Sequence, residues 1–124
     1  MDVTPTVPEG VQVIDSYGPG RFRVAGEVWD SSVIVVPEKT LVWPVPSIAD
    51  LSFECLAPVF SADPAIEVLL IGCGEKMAMV PAALKQQSRA QGVGIDSMDT
   101  GAACRTYNVL LAEGRRVAAA LIPL

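Results

Sequence analysis

The feature that most constrains the fold is the alternation of strand-like and helix-like segments in the second half of the sequence. An apolar run at 68–71 is followed by a helical pattern that starts near Pro81 and ends before Gly92. A short strand pattern, VGID, a helical pattern to about Ala112 and a closing apolar strand come next. This order is typical of an α/β sheet covered by helices, because each crossover returns the chain to the same sheet.

The first half of the sequence has the pattern of short strands joined by turns. In RFRVAG, Phe22 and Val24 fall on one face and Arg21 and Arg23 on the other, as in a half-buried strand. SVIVVP, ended by Pro37, and KTLVWPV predict further strands. We therefore predict an N-terminal antiparallel β-meander that contains all of these strands.

A helix is predicted between the two halves, in SIADLSFECLAPVF. Ser47 or Asp50 is its expected N-cap, and Pro58 is expected in its last turn. At the level of domains, residues 1–12 are expected to form a flexible lead-in. Residues 13–124 are expected to form a single α/β domain.

Composition excludes several classes of function. The 124 residues are 51% hydrophobic and carry a net charge of -5, so the chain has no electrostatic footprint for nucleic acid. There is no histidine, which excludes the commonest general base and imidazole zinc ligands. The three cysteines form no CxxC motif, and their odd number argues against a disulfide framework. We predict no metal and no cofactor.

Targeting and membrane segments are also not indicated. No stretch approaches the roughly 20 apolar residues that span a bilayer. The opening MDVTPTVPEG is acidic and Pro-rich, unlike a secretory signal or an Arg-rich presequence. The sequence therefore predicts a cytoplasmic protein that does not span the membrane.

The segment MDTGAACRTYNVL combines a helix start signal with a dense group of polar residues. Asp99 or Thr100 is the expected N-cap. The apolar stripe expected to pack on the sheet consists of Ala103, Tyr107 and Leu110. Arg105 and Asn108 then point to the opposite side, toward solvent or another protein. The polar group is therefore not expected to line one pocket.

The candidate site for chemistry is IGCGEKM, where a strand runs into Gly72, Cys73 and Gly74. A glycine turn could let a ligand approach the backbone closely. However, Met77 stands where a dinucleotide motif needs its third glycine, and a tight strand-end turn is the simpler interpretation. Cys73 is a candidate nucleophile, but only Lys76 is near in sequence to activate it.

Two further groups of charged residues have alternative interpretations. Asp96 and Asp99 could act in acid–base chemistry or bind Mg²⁺, although a helix cap beside a solvated residue is the commoner arrangement. Arg105, Arg115 and Arg116 could line an anion site or a partner surface, and salt bridges or solvent exposure are the alternatives. Arg115 and Arg116 are expected to alternate within the last strand.

Three long segments carry a resemblance to a known family. They are SYGPGRFRVAGEVWDSSVIVVP, EVLLIGCGEK and MDTGAACRTYNVLLAEGRRVAAALIP. Together they resemble the α/β domain shared by mitochondrial respiratory complex I assembly factor 3 and the adipogenesis-associated Mth-like domain proteins. The resemblance runs from about Val13 to the C terminus. It implies a three-layer fold with a central mixed sheet, covering helices and an added N-terminal β-layer, in which the last strand runs antiparallel to its neighbours.

For function, the resemblance implies protein partners and supplies no catalytic residues. Our first hypothesis is a non-catalytic interaction protein that helps to assemble respiratory complex I or another membrane complex, whose subunits would be its partners. The candidate contact residues are Gly72, Cys73, Gly74, Lys76, Asp99, Arg105 and Asn108. The alternative is a small-molecule-binding protein or enzyme with its site at Gly72–Gly74, together with Asp96 and Asp99. An exposed edge strand would also allow a homodimer.

Overall fold

The computed structural model describes residues 11–124, which begin with a three-stranded antiparallel meander. Its strands are β1 (Ile14–Gly18), β2 (Arg21–Val24) and β3 (Glu27–Trp29). In β2, Phe22 and Val24 are buried while Arg21 and Arg23 are exposed, as the alternation predicted. Of the predicted flexible lead-in at 1–12, residues 1–10 lie outside the described residues.

The second sheet has five strands and is mixed. In chain order its strands are β4 (Val33–Val36), β5 (Lys39–Val42), β6 (Val68–Gly72), β7 (Gly94–Met98) and β8 (Val117–Leu121). Their spatial order is β5-β4-β8-β6-β7. The last strand, β8, runs parallel to β6 and antiparallel to β4. The predicted central mixed sheet is confirmed, but the expectation that the last strand is antiparallel to its neighbours is correct on one side only.

The meander is smaller than predicted, because β4 and β5 belong to the central sheet. All four residues of β4 are buried, so this strand has no polar face to turn to water. A strand of this kind is stable only where both of its faces are covered. The central sheet meets that requirement, because Ile34 and Val36 pack in the hydrophobic cluster on one face, and Val33 and Val35 pack in the cluster on the other.

The helices of the structure are α1 (Ala57–Phe60), α2 (Ala82–Ala90) and α3 (Thr100–Ala112). The continuous helix predicted in SIADLSFECLAPVF is wrong: the chain forms 3₁₀ turns at Ile48–Asp50 and Glu54–Leu56 before α1. Pro58 lies in the first turn of α1 instead of the last turn of a longer helix. A proline is tolerated there because the first N–H groups of a helix have no partner within it.

The ends of α2 and α3 follow the predicted signals. Pro81 precedes α2, and Gly92 follows it with a φ of +81°. Asp99 is the N-cap of α3, and Gly114 lies beyond its C terminus with a φ of +80°. The N–H groups of Gly114 and Arg115 donate to carbonyls of the last turn, at 3.0 Å each, which is a Schellman motif.

Two hydrophobic clusters cover the two faces of the central sheet. On one face Leu69 and Ile71 pack with Leu84 of α2 and Val59 of α1. On the other face the cluster joins strand residues to α3 and the meander: Val33, Val35, Leu70, Ala103, Tyr107, Phe22 and Val24. The three-layer α/β arrangement is therefore confirmed, with the meander and α3 sharing one outer layer.

Gly72 lets α3 start directly against the end of β6. A Cβ atom at this position would lie 3.0 Å from the Cα of Thr100 and 3.0 Å from the Cδ2 of Leu121. The first of these contacts is with backbone, which has little freedom to move away. The requirement for glycine at position 72 is therefore steric.

We predict that Gly72→Ala lowers the free energy of unfolding by about 1–3 kcal/mol, because the added methyl group overpacks the junction of β6 and α3. The matched control is Gly94→Ala in β7, where a Cβ would lie 3.9 Å from its nearest neighbour. We expect that variant to lose no more than about 0.5 kcal/mol. Urea unfolding measures both, and equal losses would contradict the steric explanation.

Candidate functional site

The glycine turn lies at the carboxyl end of β6, and its backbone groups are engaged within the chain. The Cys73 N–H donates to the Met98 carbonyl at 2.9 Å, and the Gly74 N–H donates to the Thr100 hydroxyl at 2.8 Å. The Gly74 carbonyl accepts from the Thr100 N–H at 2.8 Å. The N–H groups of Cys73 and Gly74 are donors that a phosphate bound at such a turn would use. Because both already donate within the chain, the turn acts as a structural joint that connects β6 to α3.

Thr100 is the residue at the centre of this joint, and it has an exposed fraction of 0%. Besides accepting from Gly74, its hydroxyl donates to the Ile122 carbonyl at 2.6 Å. The residue therefore connects the start of α3 to the ends of β6 and β8. Sequence reasoning considered Thr100 only as an alternative N-cap. The signal available was a hydroxyl residue directly after the cap, but the sequence did not reveal its distant partners.

The two candidate carboxylates have separate structural roles. Asp99 caps α3, because its Oδ1 accepts from the Ala102 N–H at 2.9 Å. Asp96 is exposed on the edge strand β7. Within residues 11–124, no group of three or more cysteine and acidic side chains is arranged to hold a metal ion. The pair matches the alternative of a helix cap beside a solvated residue.

The cysteines are free thiols in packed or partly packed surroundings. Cys73 packs against the cluster on the α1–α2 face, and its Sγ lies 3.7 Å from the Ile71 carbonyl oxygen and 3.8 Å from that of Ala78. Burial raises the pKa of the Cys104 thiol to about 12, which keeps it protonated at neutral pH. Cys104 is therefore an unreactive core residue.

The loop that follows the glycine turn presents the most exposed side chains of this region. Lys76 is exposed, and beside it Met77 and Met79 have exposed fractions of 62% and 86%. In the sequence, Met77 stands out only as a departure from a dinucleotide motif, and Met79 belongs to no motif. The signal available in the sequence was the close spacing of two methionines in a loop, and exposed apolar side chains that form one patch are typical of interaction sites.

Arg105 and Asn108 attach the meander to α3. The Arg105 Nη1 donates to the Tyr17 hydroxyl at 2.5 Å. The Asn108 Nδ2 donates to the Ile14 carbonyl at 2.8 Å, and its Oδ1 accepts from the Ile14 N–H at 3.0 Å. The prediction that Asn108 points to solvent or a partner is wrong, because β1 covers this side of the helix. Its amide pairs with one backbone residue as a neighbouring strand would.

The C-terminal arginines form salt bridges, one of the alternatives considered. Arg115 Nε lies 3.3 Å from Glu67 Oε1, and Arg116 binds Glu38 through two nitrogens, one of them at 3.0 Å. Both arginines precede β8, so the predicted alternation within the strand is wrong. The side-chain hydrogen bond from Arg116 lowers the pKa of Glu38 below its ordinary value of 4.5. The Arg116 backbone N–H, followed by the Arg115 side chain, lowers the pKa of Glu67.

The fold matches that of solved bacterial proteins. A Bordetella pertussis protein described as a Mth938-like domain superposes with a TM-score of 0.83 and 31% identity, covering 99% of this chain and 92% of that one. The structure is therefore a Mth938-like α/β domain. The chain belongs to the family described as protein of unknown function (DUF498/DUF598), which matches residues 14–122.

Two sequence relatives support the resemblance predicted from the sequence. An uncharacterised protein of Rhodobacter capsulatus is 39% identical over 115 residues, which are 93% of this chain and 87% of that protein. The NADH dehydrogenase [ubiquinone] 1 alpha subcomplex assembly factor 3 of Danio rerio is 37% identical over 111 residues. The match covers 90% of this chain and 64% of the assembly factor. The predicted resemblance to the complex I assembly factors is confirmed.

Within residues 11–124, no helix combines the length and the apolar character needed to cross a bilayer.

We predict that Thr100→Val lowers the free energy of unfolding by at least about 2 kcal/mol, because Gly74 N–H and Ile122 C=O lose their hydroxyl partner in a buried place. Thr100→Ser keeps the hydroxyl and should cost less than about 1.5 kcal/mol. Thr106→Val, on the same helix, should change stability by no more than about 0.5 kcal/mol. Chemical denaturation checks the series, and equal costs for valine and serine would contradict the role of the hydroxyl.

We also predict that the Glu38–Arg116 pair contributes to the acid sensitivity of the fold. The pKa of Glu38 is lower in the folded state, so its contribution is present above pH 4.5 and is lost as pH falls through the folded value. Glu38→Gln should cost up to about 1 kcal/mol at pH 7, since the pair is partly exposed. Glu75→Gln removes an exposed carboxylate without an ion pair among the described residues. Thermal unfolding should be measured from pH 7 to pH 3. The difference in melting temperature between Glu38→Gln and wild type should become smaller as the pH falls. The difference between Glu75→Gln and wild type should stay constant.

Proposed function

We propose that this chain is a non-catalytic interaction protein that assists the assembly of a membrane complex, with respiratory complex I as the first candidate. The observation that carries the proposal is the sequence similarity to the complex I assembly factors, which extends over nine tenths of this chain. The match covers 64% of the assembly factor. The proposed assembly role is therefore a role of the domain that the two proteins share. We propose that residues 13–124 act as this single domain and that it works in the cytoplasm.

The partner surface that we propose is the exposed loop containing Lys76, Met77 and Met79. Methionine side chains are flexible and polarizable, so they adapt to an apolar partner surface. Lys76 adds a positive charge beside them. The other predicted contact residues make contacts within the chain, at the start of this loop, at the N-cap of α3 or between α3 and the meander: Gly72, Cys73, Gly74, Asp99, Arg105 and Asn108. We do not propose the small-molecule alternative, because the N–H groups of Cys73 and Gly74 already donate within the chain.

The test combines a deletion strain with affinity capture from detergent-solubilised membranes. Deletion of the gene should lower the amount of assembled complex I on native gels and the NADH:ubiquinone oxidoreductase activity of the membranes. The tagged wild-type chain should capture subunits of that complex. A Met77→Ser/Met79→Ser variant should capture roughly tenfold less, since truncated side chains at the centre of an interface commonly cost that much.

The matched control is Val109→Ser, which also removes an exposed apolar side chain, on α3. This variant should capture the subunits as the wild type does. Normal amounts of complex I and of every other membrane complex in the deletion strain would overturn the proposed function. Equal capture by the methionine variant and the wild type would overturn the proposed surface alone.

A further inference from the structure

The outer face of the meander carries two exposed guanidinium groups, those of Arg21 and Arg23. The alternation of β2 buries Phe22 and Val24 and turns Arg21 and Arg23 outward. Among the described residues, neither Arg21 nor Arg23 has a hydrogen-bond or ion-pair partner for its side chain. The strand alternation therefore fixes the two positive charges on the outer face. Their guanidinium N–H groups have no acceptor among residues 11–124 and are free to bind another molecule.

Three of the other four arginines have partners within the chain. Arg115 and Arg116 pair with Glu67 and Glu38, and Arg105 donates to Tyr17. The chain has 14 acidic and 9 basic residues, so acidic residues outnumber basic ones. The lack of a carboxylate partner for the arginines of β2 is therefore not due to a shortage of acidic residues. Two adjacent arginines without a carboxylate are therefore a local excess of positive charge on an acidic protein.

The two arginines line a cleft with a volume of about 350 Å³. None of the residues that line the cleft within 11–124 is acidic. Arg23 lies between Ser16 of β1 and Val28 of β3 in the strand register, so a hydroxyl, a guanidinium and an apolar group form one row. Val28 has an exposed fraction of 55%. Gly18 is paired with Arg21 and has no side chain to cover it, which leaves the cleft open beside that arginine.

We propose that this cleft binds an extended acidic segment of a partner protein, with carboxylates on alternate residues engaging Arg21 and Arg23. Alternate residues of a strand are about 6.6–6.8 Å apart. Arg21 and Arg23 have this spacing, and so do side chains on one face of an extended peptide. Each guanidinium can hold a carboxylate with two parallel hydrogen bonds. Val28 offers apolar contact to the residue beside the pair.

An acidic segment suits the whole chain better than an anionic membrane does. The net charge of -5 opposes approach to an extended negative surface. A short segment interacts mainly with charges within a Debye length of about 8–10 Å, where the arginine pair dominates. This surface is separate in sequence from the methionine loop. The inference therefore goes beyond the proposed function and does not depend on it.

Fluorescence anisotropy with the purified full chain tests the inference. The probe is a short labelled peptide in which glutamate alternates with threonine, and its matched control has glutamine in place of glutamate. We expect the glutamate peptide to bind at least about tenfold more tightly than the glutamine peptide, with affinity falling as salt is raised. Arg21→Gln/Arg23→Gln should remove that preference. Lys85→Gln/Arg89→Gln removes the same charge from α2 and should retain it.

A second variant tests the shape of the cleft without a change in charge. A Cβ on Gly18 would meet nothing within 4 Å, so Gly18→Val should fold normally and fill the space beside Arg21. It should weaken binding of the glutamate peptide by about tenfold. The inference would be overturned if the wild type bound the glutamate and glutamine peptides equally. It would also be overturned if the Lys85→Gln/Arg89→Gln variant lost the preference as the β2 variant does, or if Gly18→Val bound the glutamate peptide as tightly as the wild type. Binding restricted to phosphatidylglycerol vesicles or to inorganic phosphate would also overturn it.

Discussion

A single buried hydroxyl holds together the part of this fold where α/β proteins commonly bind ligands. The hydroxyl of Thr100 accepts from Gly74 and donates to the Ile122 carbonyl, so the ends of β6 and β8 are fixed to the start of α3. A buried N–H or C=O without a partner costs about 1–3 kcal/mol, so this hydroxyl outweighs an ordinary surface contact. Gly72 makes the close approach of strand and helix possible, because a Cβ there would lie only 3.0 Å from the Cα of Thr100.

This junction accounts for several of the polar groups that the sequence offered as chemical candidates. The amides of the glycine turn and the carboxylate of Asp99 are used in connecting strands to the helix. Several exposed side chains lie outside the junction, among them the methionines of the loop and the arginines of β2. These exposed groups belong to the two surfaces proposed above for partner proteins, and the sequence relatives of the chain include a complex I assembly factor.

Local signals predicted the elements whose ends depend on neighbouring residues. The ends of α2 are marked by Pro81 and Gly92, and those of α3 by Asp99 and Gly114. These ends were predictable because capping interactions extend over one helical turn. The sequence pattern also predicted the two faces of β2. It could not assign β4 to the central sheet, because strand pairing depends on residues far along the chain. Thr100 was missed as a junction for the same reason, since one of its partners is 22 residues away.

The error at Asn108 has a more specific physical cause. A helical pattern gives the direction of each side chain relative to the apolar stripe, but a polar face meets water only if no other layer covers it. Here the meander packs beside α3, and the Asn108 amide supplies the hydrogen bonds that the backbone of Ile14 requires. Tyr107 does the same from the buried side, donating its hydroxyl to the Gln12 carbonyl at 2.8 Å. The polar residues of α3 therefore hold an added β-layer, and this layer in turn presents the arginines of β2 on the protein surface.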